Sequence, residues 1–249
     1  MLSVASRLVG APDARTLPIF ALFFLFCVFC QVAPAFSQES GSSKATASEK
    51  PAIEPPADIR FEDTGGKWVP LTGHWETCRF GGDGDVEISA DRIELKMGDP
   101  LTGVRWIGEY PRDNYEIELE ARRIDGFDFF VAVTFPVADG KCSLVLGGWG
   151  GGVVGISSID GSDAANNETT SYMDFKNGTW YPIKIRVVPE KIECFIDDGQ
   201  WVDLERDGQE FDIRIEMDPA LPLGFANFQC DSEIRKVRLR TLSTSSDSD

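Results

Sequence analysis

The side chains best suited to chemistry in this 249-residue sequence gather in the run LGGWGGGVVGISSIDGSDAANNETT at 146–170. Trp149 stands there among glycines, and a polar loop follows with Asp160, Asp163, Asn166, Asn167, Glu168 and Thr169. Glycine lets backbone come close to a ligand and leaves an aromatic ring uncovered. Asp, Asn and Trp together suit the hydroxyls and the apolar ring face of a sugar. Breaking a glycosidic bond takes two carboxyl groups, and Asp160 and Glu168 are the candidates for acid and base, with Trp149 as platform. Asp128 is a third candidate, because it interrupts the apolar run Gly126-Phe-Asp-Phe-Phe130; it either faces solvent or is a buried acid. Arg105 and Trp106, close in sequence to Asp99, offer a stacking and hydrogen-bonding rim. The plain structural alternative has Trp149 filling the core, the loop serving as a long hairpin connection, and the Arg105-Trp106 pair holding the fold.

Other chemistries find less to work with. The glycines near Trp149 are not followed by a helix start or a Lys-Ser/Thr pair, so they do not read as a phosphate loop. Asp83, Asp85 and Glu87 fall short of a calcium loop and read as a tight turn. The single histidine, His74, has no ligand set near it, and no cysteine spacing resembles a zinc site. No metal and no cofactor is expected. Along Tyr115-Glu-Ile-Glu-Leu-Glu-Ala121, period-two alternation puts Glu116, Glu118 and Glu120 on one face. Lys184, Arg186, Arg238 and Arg240 alternate outward in the same way. Three aligned carboxylates could line a cleft, but opposite charges on neighbouring strands read first as ordinary sheet stabilisation.

Such residues need a rigid frame. Sustained apolar recurrence at helical spacing is missing from the chain after its leader, whereas short alternating runs broken by Gly, Asp, Asn and Pro recur about every ten residues. The runs predict strands at 86–89, 92–97, 114–122, 127–135, 143–147, 153–158, 181–188, 191–196, 200–204 and 234–242. Turns between them fall at Asp83-Gly84, Asp125-Gly126, Asp139-Gly140, Asp160-Gly161, Asn177-Gly178 and Asp207-Gly208. The predicted fold class is all-β, a two-sheet antiparallel β-sandwich or jelly roll.

Arg7 and Arg15 precede the apolar run IFALFFLFCVFC at 19–30, the pattern of a signal peptide, with cleavage expected after Ser37. The rival reading keeps residues 19–36 as an uncleaved anchor, close to the lower limit of about 18 residues for a span. Residues 38–57 are nearly free of large apolar groups and read as a disordered linker, residues 58–242 as one domain, and residues 243–249 as a disordered tail. The expected location is secreted or periplasmic. The chain carries a formal net charge of −17; a leader charge of +1 leaves −18 on the mature part. That excludes nucleic acid as a partner, and it disfavours anionic membranes except through an uncleaved leader. A carbohydrate ligand is the expected partner, and oligomeric state is not legible. With Cys27 and Cys30 lost in the leader, Cys78, Cys142, Cys194 and Cys230 remain, either as core thiols or in one of three full pairings.

Three stretches carry a family resemblance: the strand Asn114 to Arg122, the strand-turn-strand from Gly178 to Asp198 (GTWYPIKIRVVPEKIECFIDD), and the terminal run Ile234 to Leu242. They resemble the 3-keto-disaccharide hydrolase family over about residues 61–242. The resemblance implies a concanavalin A-like jelly roll and action on glycosidic bonds of an exported sugar. This sequence also departs from the family. Members thought active carry an Asn-Ser-Gly and arginine strand and then a Glu-x-Gln strand, where residues 128–135 and 142–149 here are largely apolar. Asp128, Trp149, Asp160 and Glu168 are what remains as cleft chemistry. Two readings follow: a hydrolase-like enzyme acting on a sugar, and a non-catalytic carbohydrate-binding or protein-interaction sandwich.

Overall fold

The computed structural model describes residues 60–243. The expected leader, linker and nearly all of the expected tail lie outside the described residues, as do Cys27 and Cys30. No helix among the described residues is long and apolar enough to cross a membrane.

Among the described residues fifteen strands run in chain order: β1 (Val69–Pro70), β2 (Trp75–Thr77), β3 (Val86–Ile88), β4 (Arg92–Leu95), β5 (Leu101–Trp106), β6 (Tyr115–Gly126), β7 (Val131–Val137) and β8 (Gly140–Gly147), then β9 (Val153–Ser157), β10 (Ser171–Tyr172), β11 (Tyr181–Val187), β12 (Lys191–Ile196), β13 (Gly199–Glu205), β14 (Gly224–Phe228) and β15 (Cys230–Thr241). One sheet has the order β13-β12-β11-β6-β15-β4-β3, with β1 also paired to β15; the other has the order β10-β9-β8-β7-β14-β5-β2. Every pairing is antiparallel. The domain is an all-β two-sheet sandwich of the jelly-roll kind.

Strand phase sets what lies between the sheets. Tyr115, Ile117, Leu119 and Ala121 of β6 meet Val131, Val133, Phe135 and Val137 of β7 in one large core. The other face of β6 carries the glutamates. Pairing places Glu116 against Arg186 and Arg240, and Glu118 against Lys184 and Arg238. Arg240 Nε lies 2.7 Å from Glu116, Arg238 Nε 2.8 Å from Glu118, and Arg235 Nε 2.7 Å from Glu120. Arginines also stack on tryptophans there: Arg235 lies 3.9 Å and Arg122 4.5 Å from the Trp180 ring centre, with Arg240 4.5 Å from that of Trp68. This face is a cross-strand charge ladder whose carboxylates are already engaged with basic side chains.

The second sheet differs in being covered on both faces. β7 is buried at every position, which is why its sequence VAVTFPV shows no alternation. A second, smaller core on its outward side joins Ala132, Val145 and Ala226 to Ile213, Met217 and Ala220 from the segment that crosses over it. That segment includes a 3-10 turn at Ile215–Ala220. Gly224 of β14 is required beneath it, since a Cβ there would come 2.3 Å from the Ala220 carbonyl oxygen.

The sequence misplaced or missed several strands. β5 and β14 escaped notice because each is short and interrupted by glycine or by Asn227, whose side chain turns inward to donate to the Leu95 and Cys230 carbonyls. The strand expected at 127–135 begins only at Val131, because 127–130 form the bend that carries Asp128. The Asp139-Gly140 turn lies one residue early, with Ala138 and Asp139 forming the two-residue loop between paired Val137 and Gly140. Asp160-Gly161 behaves as expected: φ is +50° and +75° at its two residues, between bridged Ile159 and Ser162. Cys78, Cys142, Cys194 and Cys230 are buried free thiols, so none of the three pairings forms.

Candidate functional site

β8 ends in a glycine turn that throws one large aromatic ring outward. Gly147, Trp149, Gly150 and Gly151 all have positive φ, and Trp149, at +50°, is the strained member of the set. Gly151 cannot be replaced without a shift, because a Cβ would come 2.4 Å from the Phe127 carbonyl oxygen. The result is a tryptophan 47% exposed on a backbone that is not free to move. Asp128 locks the turn: one carboxylate oxygen accepts the Gly150 N–H at 3.0 Å and the other accepts the Phe129 N–H at 2.7 Å. Arg123 in turn holds Asp128. Its guanidinium, buried by the sheet, donates to the Asp128 carbonyl at 3.0 Å, to the Phe175 carbonyl at 2.7 Å and to Asn177 Oδ1 at 2.6 Å.

Beside this turn lies a cavity of about 300 Å³ on the outward face of the second sheet. That is near the low end of the ~300–1,000 Å³ typical of small-molecule sites. Its floor is built from three adjacent strands: Ala132 of β7, Ser143 and Val145 of β8, and Ser157 of β9. Phe129 and Phe228, 5.5 Å apart between ring centres, form one wall with Met217, and Trp149 stands at the edge. Three charges sit on the lining: Asp128, Arg214 and Glu216. Arg214 donates to Glu216 at 2.9 Å, and this hydrogen bond holds the Glu216 carboxyl below its ordinary value. The same guanidinium reaches Asp163 at 3.5 Å.

Across the Phe127-Asp128 and Trp149-Gly150 ridge is a second depression of about 450 Å³, lined by Arg123, Phe127, Tyr172 and Asp174. Phe127 and Tyr172 are 63% and 72% exposed, so three aromatic rings surround one rigid turn. A larger trough of about 770 Å³ on the first sheet is lined by Glu118, Glu120, Lys184, Lys236 and Arg238. It belongs to the charge ladder, where Lys236 already donates to Glu120 at 2.7 Å.

Of the residues singled out in the sequence, the structure brings Asp128 and Trp149 together and disperses the others. Asp160 does not line the cavity: its carboxylate accepts the Glu210 N–H at 2.8 Å and closes a turn. Glu168 accepts from Gln209 at 2.9 Å, also outside it. Asn167 is spent on the loop itself, its amide donating to the Ile156, Ser162 and Asp163 carbonyls while Oδ1 accepts from Thr169. Asn166 donates to Asp163, which also accepts the Ala165 N–H. The loop carboxylates and amides that suit a ligand in the sequence here satisfy the backbone of a long connection. Asp163 touches the site only indirectly, through Arg214.

The expected Arg105-Trp106 rim does not form. Adjacent strand residues point to opposite faces. Trp106 is 1% exposed in the main core, its indole donating to the Glu109 carbonyl at 2.9 Å, while Arg105 faces out and pairs with Glu76 at 3.3 Å. The residues that sequence reasoning missed are Phe129, Ser143, Ser157, Arg214, Glu216, Phe228 and the supporting Arg123. Ser143 and Ser157 did carry a signal, as hydroxyls inside otherwise apolar strands. Phe228 and Glu216 come from elements that were not foreseen. Among the described residues no three His, Cys, Asp or Glu side chains are grouped to hold a metal ion.

Fold and site together define an antiparallel β-sandwich with an aromatic-edged cavity on the outward face of one sheet. No protein-family model and no curated protein matches the chain, so membership of the 3-keto-disaccharide hydrolase family has no support beyond the strands that resemble it. Among solved structures the chain is similar to the carbohydrate-binding module CBM66 from Bacillus subtilis, at 12% identity and a TM-score of 0.46, covering 69% of this chain and 97% of that one. It is also similar to the Crh5 transglycosylase in complex with NAG, at 12% identity and a TM-score of 0.47, covering 72% and 85%. A third is the exoplasmic/lumenal domain of VIP36 in its Ca2+/Man3GlcNAc-bound form, at 10% identity and a TM-score of 0.46, covering 71% and 87%. Likeness of this extent does not assign a ligand to this chain.

Proposed function

We propose that this protein is an exported, non-catalytic carbohydrate-binding sandwich that takes a sugar in the cavity beside Trp149. The observation that carries the reading is a half-exposed tryptophan on a glycine turn locked by Asp128. A ring held in that way offers an apolar platform at little cost in side-chain entropy. Each Asp128 oxygen accepts one N–H and keeps acceptor capacity for a sugar hydroxyl, and Arg214 adds donors at the same cavity. A wholly apolar ligand would leave these three charges without hydrogen-bonding partners of its own, at a desolvation cost.

Binding is favoured over hydrolysis by what the acids are doing. A glycosidase needs one carboxyl group that gives up a proton to the leaving oxygen. Asp128 receives backbone donors on both oxygens, and Glu216 is held ionised by Arg214. Asp160 and Glu168 lie outside the cavity, bound to the segment at Gln209 and Glu210.

The test is a glycan array together with a turnover screen on 3-keto-disaccharides, using the protein and its Trp149→Ala variant. The reading expects binding without product, lost in the variant. Product release by the protein would overturn it in favour of the hydrolase.

A further inference from the structure

The exposed aromatic rings of the domain are not scattered. Among the described residues they are Phe127, Trp149 and Tyr172, and all three border one glycine turn. A lone exposed ring needs no explanation, whereas a group of them on one face marks a surface that is covered in use. The turn also divides two hollows. Asp128 and Trp149 line the cavity of about 300 Å³, while their chain neighbours Phe127 and Gly150 line the depression of about 450 Å³. Neighbouring Cα atoms are only about 3.8 Å apart, so a narrow ridge separates the two. Tyr172 is fixed to the same ridge: it pairs with Val153 of β9, and the Met173 N–H donates to the Gly152 carbonyl at 2.9 Å. Close to it Asp174, also exposed, lines the second depression.

We propose that the ligand is an oligosaccharide lying across this ridge, with one sugar in the cavity beside Trp149 and the chain continuing over Phe127 and Tyr172 in the second depression. The inference rests on the sugar reading of the cavity and adds the class of sugar, an extended glycan in place of a free monosaccharide. The two hollows share one make-up. Each offers an aromatic ring for the apolar face of a sugar and a carboxylate to accept from its hydroxyls, Asp128 in the first and Asp174 in the second. The Tyr172 hydroxyl adds a donor. Arg123 adds none, because its guanidinium is committed to Asp128, Phe175 and Asn177. A wholly apolar partner would bury both carboxylates without hydrogen bonds, at a desolvation cost. Aromatic side chains have only two torsions to fix, so a second stacked sugar adds affinity at little ordering cost.

Isothermal titration calorimetry on the protein tests it, with ladders of gluco-, xylo-, manno- and galacto-oligosaccharides, each from the monosaccharide to the hexasaccharide. In the ladder that responds, the tetrasaccharide binds about tenfold or more tighter than the monosaccharide, the gain of a second aromatic platform, and further units add little. The Phe127→Ala/Tyr172→Ala double variant brings that ratio to about twofold or less. Its melting temperature stays unchanged, because both rings are exposed. A gain that came only from the number of units offered would survive the double variant. Trp149→Ala weakens every length. Equal binding of short and long chains, or a ratio that survives the double variant, overturns the oligosaccharide assignment and leaves the sugar reading standing. Silence toward every ladder overturns both.

Discussion

Trp149 and Asp128 act as a pair, and neither can be understood without the other. The indole is presented to solvent because its backbone sits in a left-handed conformation among glycines, and that conformation is held by one carboxylate. Both residues stood out in the sequence, Trp149 for its glycine neighbours and Asp128 for breaking an apolar run. Asp160 and Glu168 stood out equally and have other duties. Asp160→Asn and Glu168→Gln should therefore leave ligand affinity within about twofold of the starting protein, while each costs no more than about 1 kcal/mol of stability. Calorimetry and urea unfolding check this; loss of binding in either variant would place that acid back in the site. The difference between Asp128 and the other two acids lay in what each would bond to, which for Glu168 and Asp160 depends on chain segments more than 40 positions away, at Gln209 and Glu210.

At the scale of elements, β7, β8 and β9 make the floor, and the crossing segment with Met217 makes the lid over part of it. The first three were legible from their apolar runs, but β7, buried on both faces, shows no alternation to tell its inward side from its outward one. The crossing segment was not, because residues 211–221 have neither helical nor strand periodicity and are ordered by packing on Ala132 and Ala226 and by backbone hydrogen bonds between Asp212 and Ser158. Arg123 shows the same limit: beside Arg122 in sequence it looks like one more surface charge. Arg122 does reach Glu233 at 2.7 Å on the charged face, whereas Arg123 turns under the Asp128 bend. Replacing it by methionine leaves three acceptors without a partner. Arg123→Met is expected to destabilise the domain by about 3 kcal/mol in chemical unfolding and to weaken ligand binding through the Trp149 turn. An unchanged unfolding midpoint would contradict the role given to Arg123.

Across the whole molecule, the two faces of the sandwich have different jobs. The charge ladder on the first sheet spends its acids on stability, and the second sheet is left small and apolar enough to form a cavity. Charge and strand pattern announced the ladder; the cavity was hidden because it depends on which face the 3-10 segment covers. Burial also sets the state of the four thiols, pushing Cys78 and Cys230 from their ordinary value of 9.0 up to about 12 and raising Cys142 and Cys194 as well. Native thiols thus keep protons that unfolded ones lose. The unfolded state gains from deprotonation as pH rises past about 9, so stability present at neutral pH falls steadily between about 9 and about 12. Urea midpoints should drop over that range, and iodoacetamide at pH 8 should label the four thiols only after unfolding. Rapid labelling of the native protein would contradict the burial.

The most direct test of the central claim is a glycan-array comparison of the protein with its Trp149→Ala variant, after matched melting temperatures have shown that both are folded. The protein should bind a defined set of glycans, and the variant should bind them about tenfold or more weakly, the scale of one aromatic platform. Binding that persists unchanged without the indole would contradict a site at Trp149.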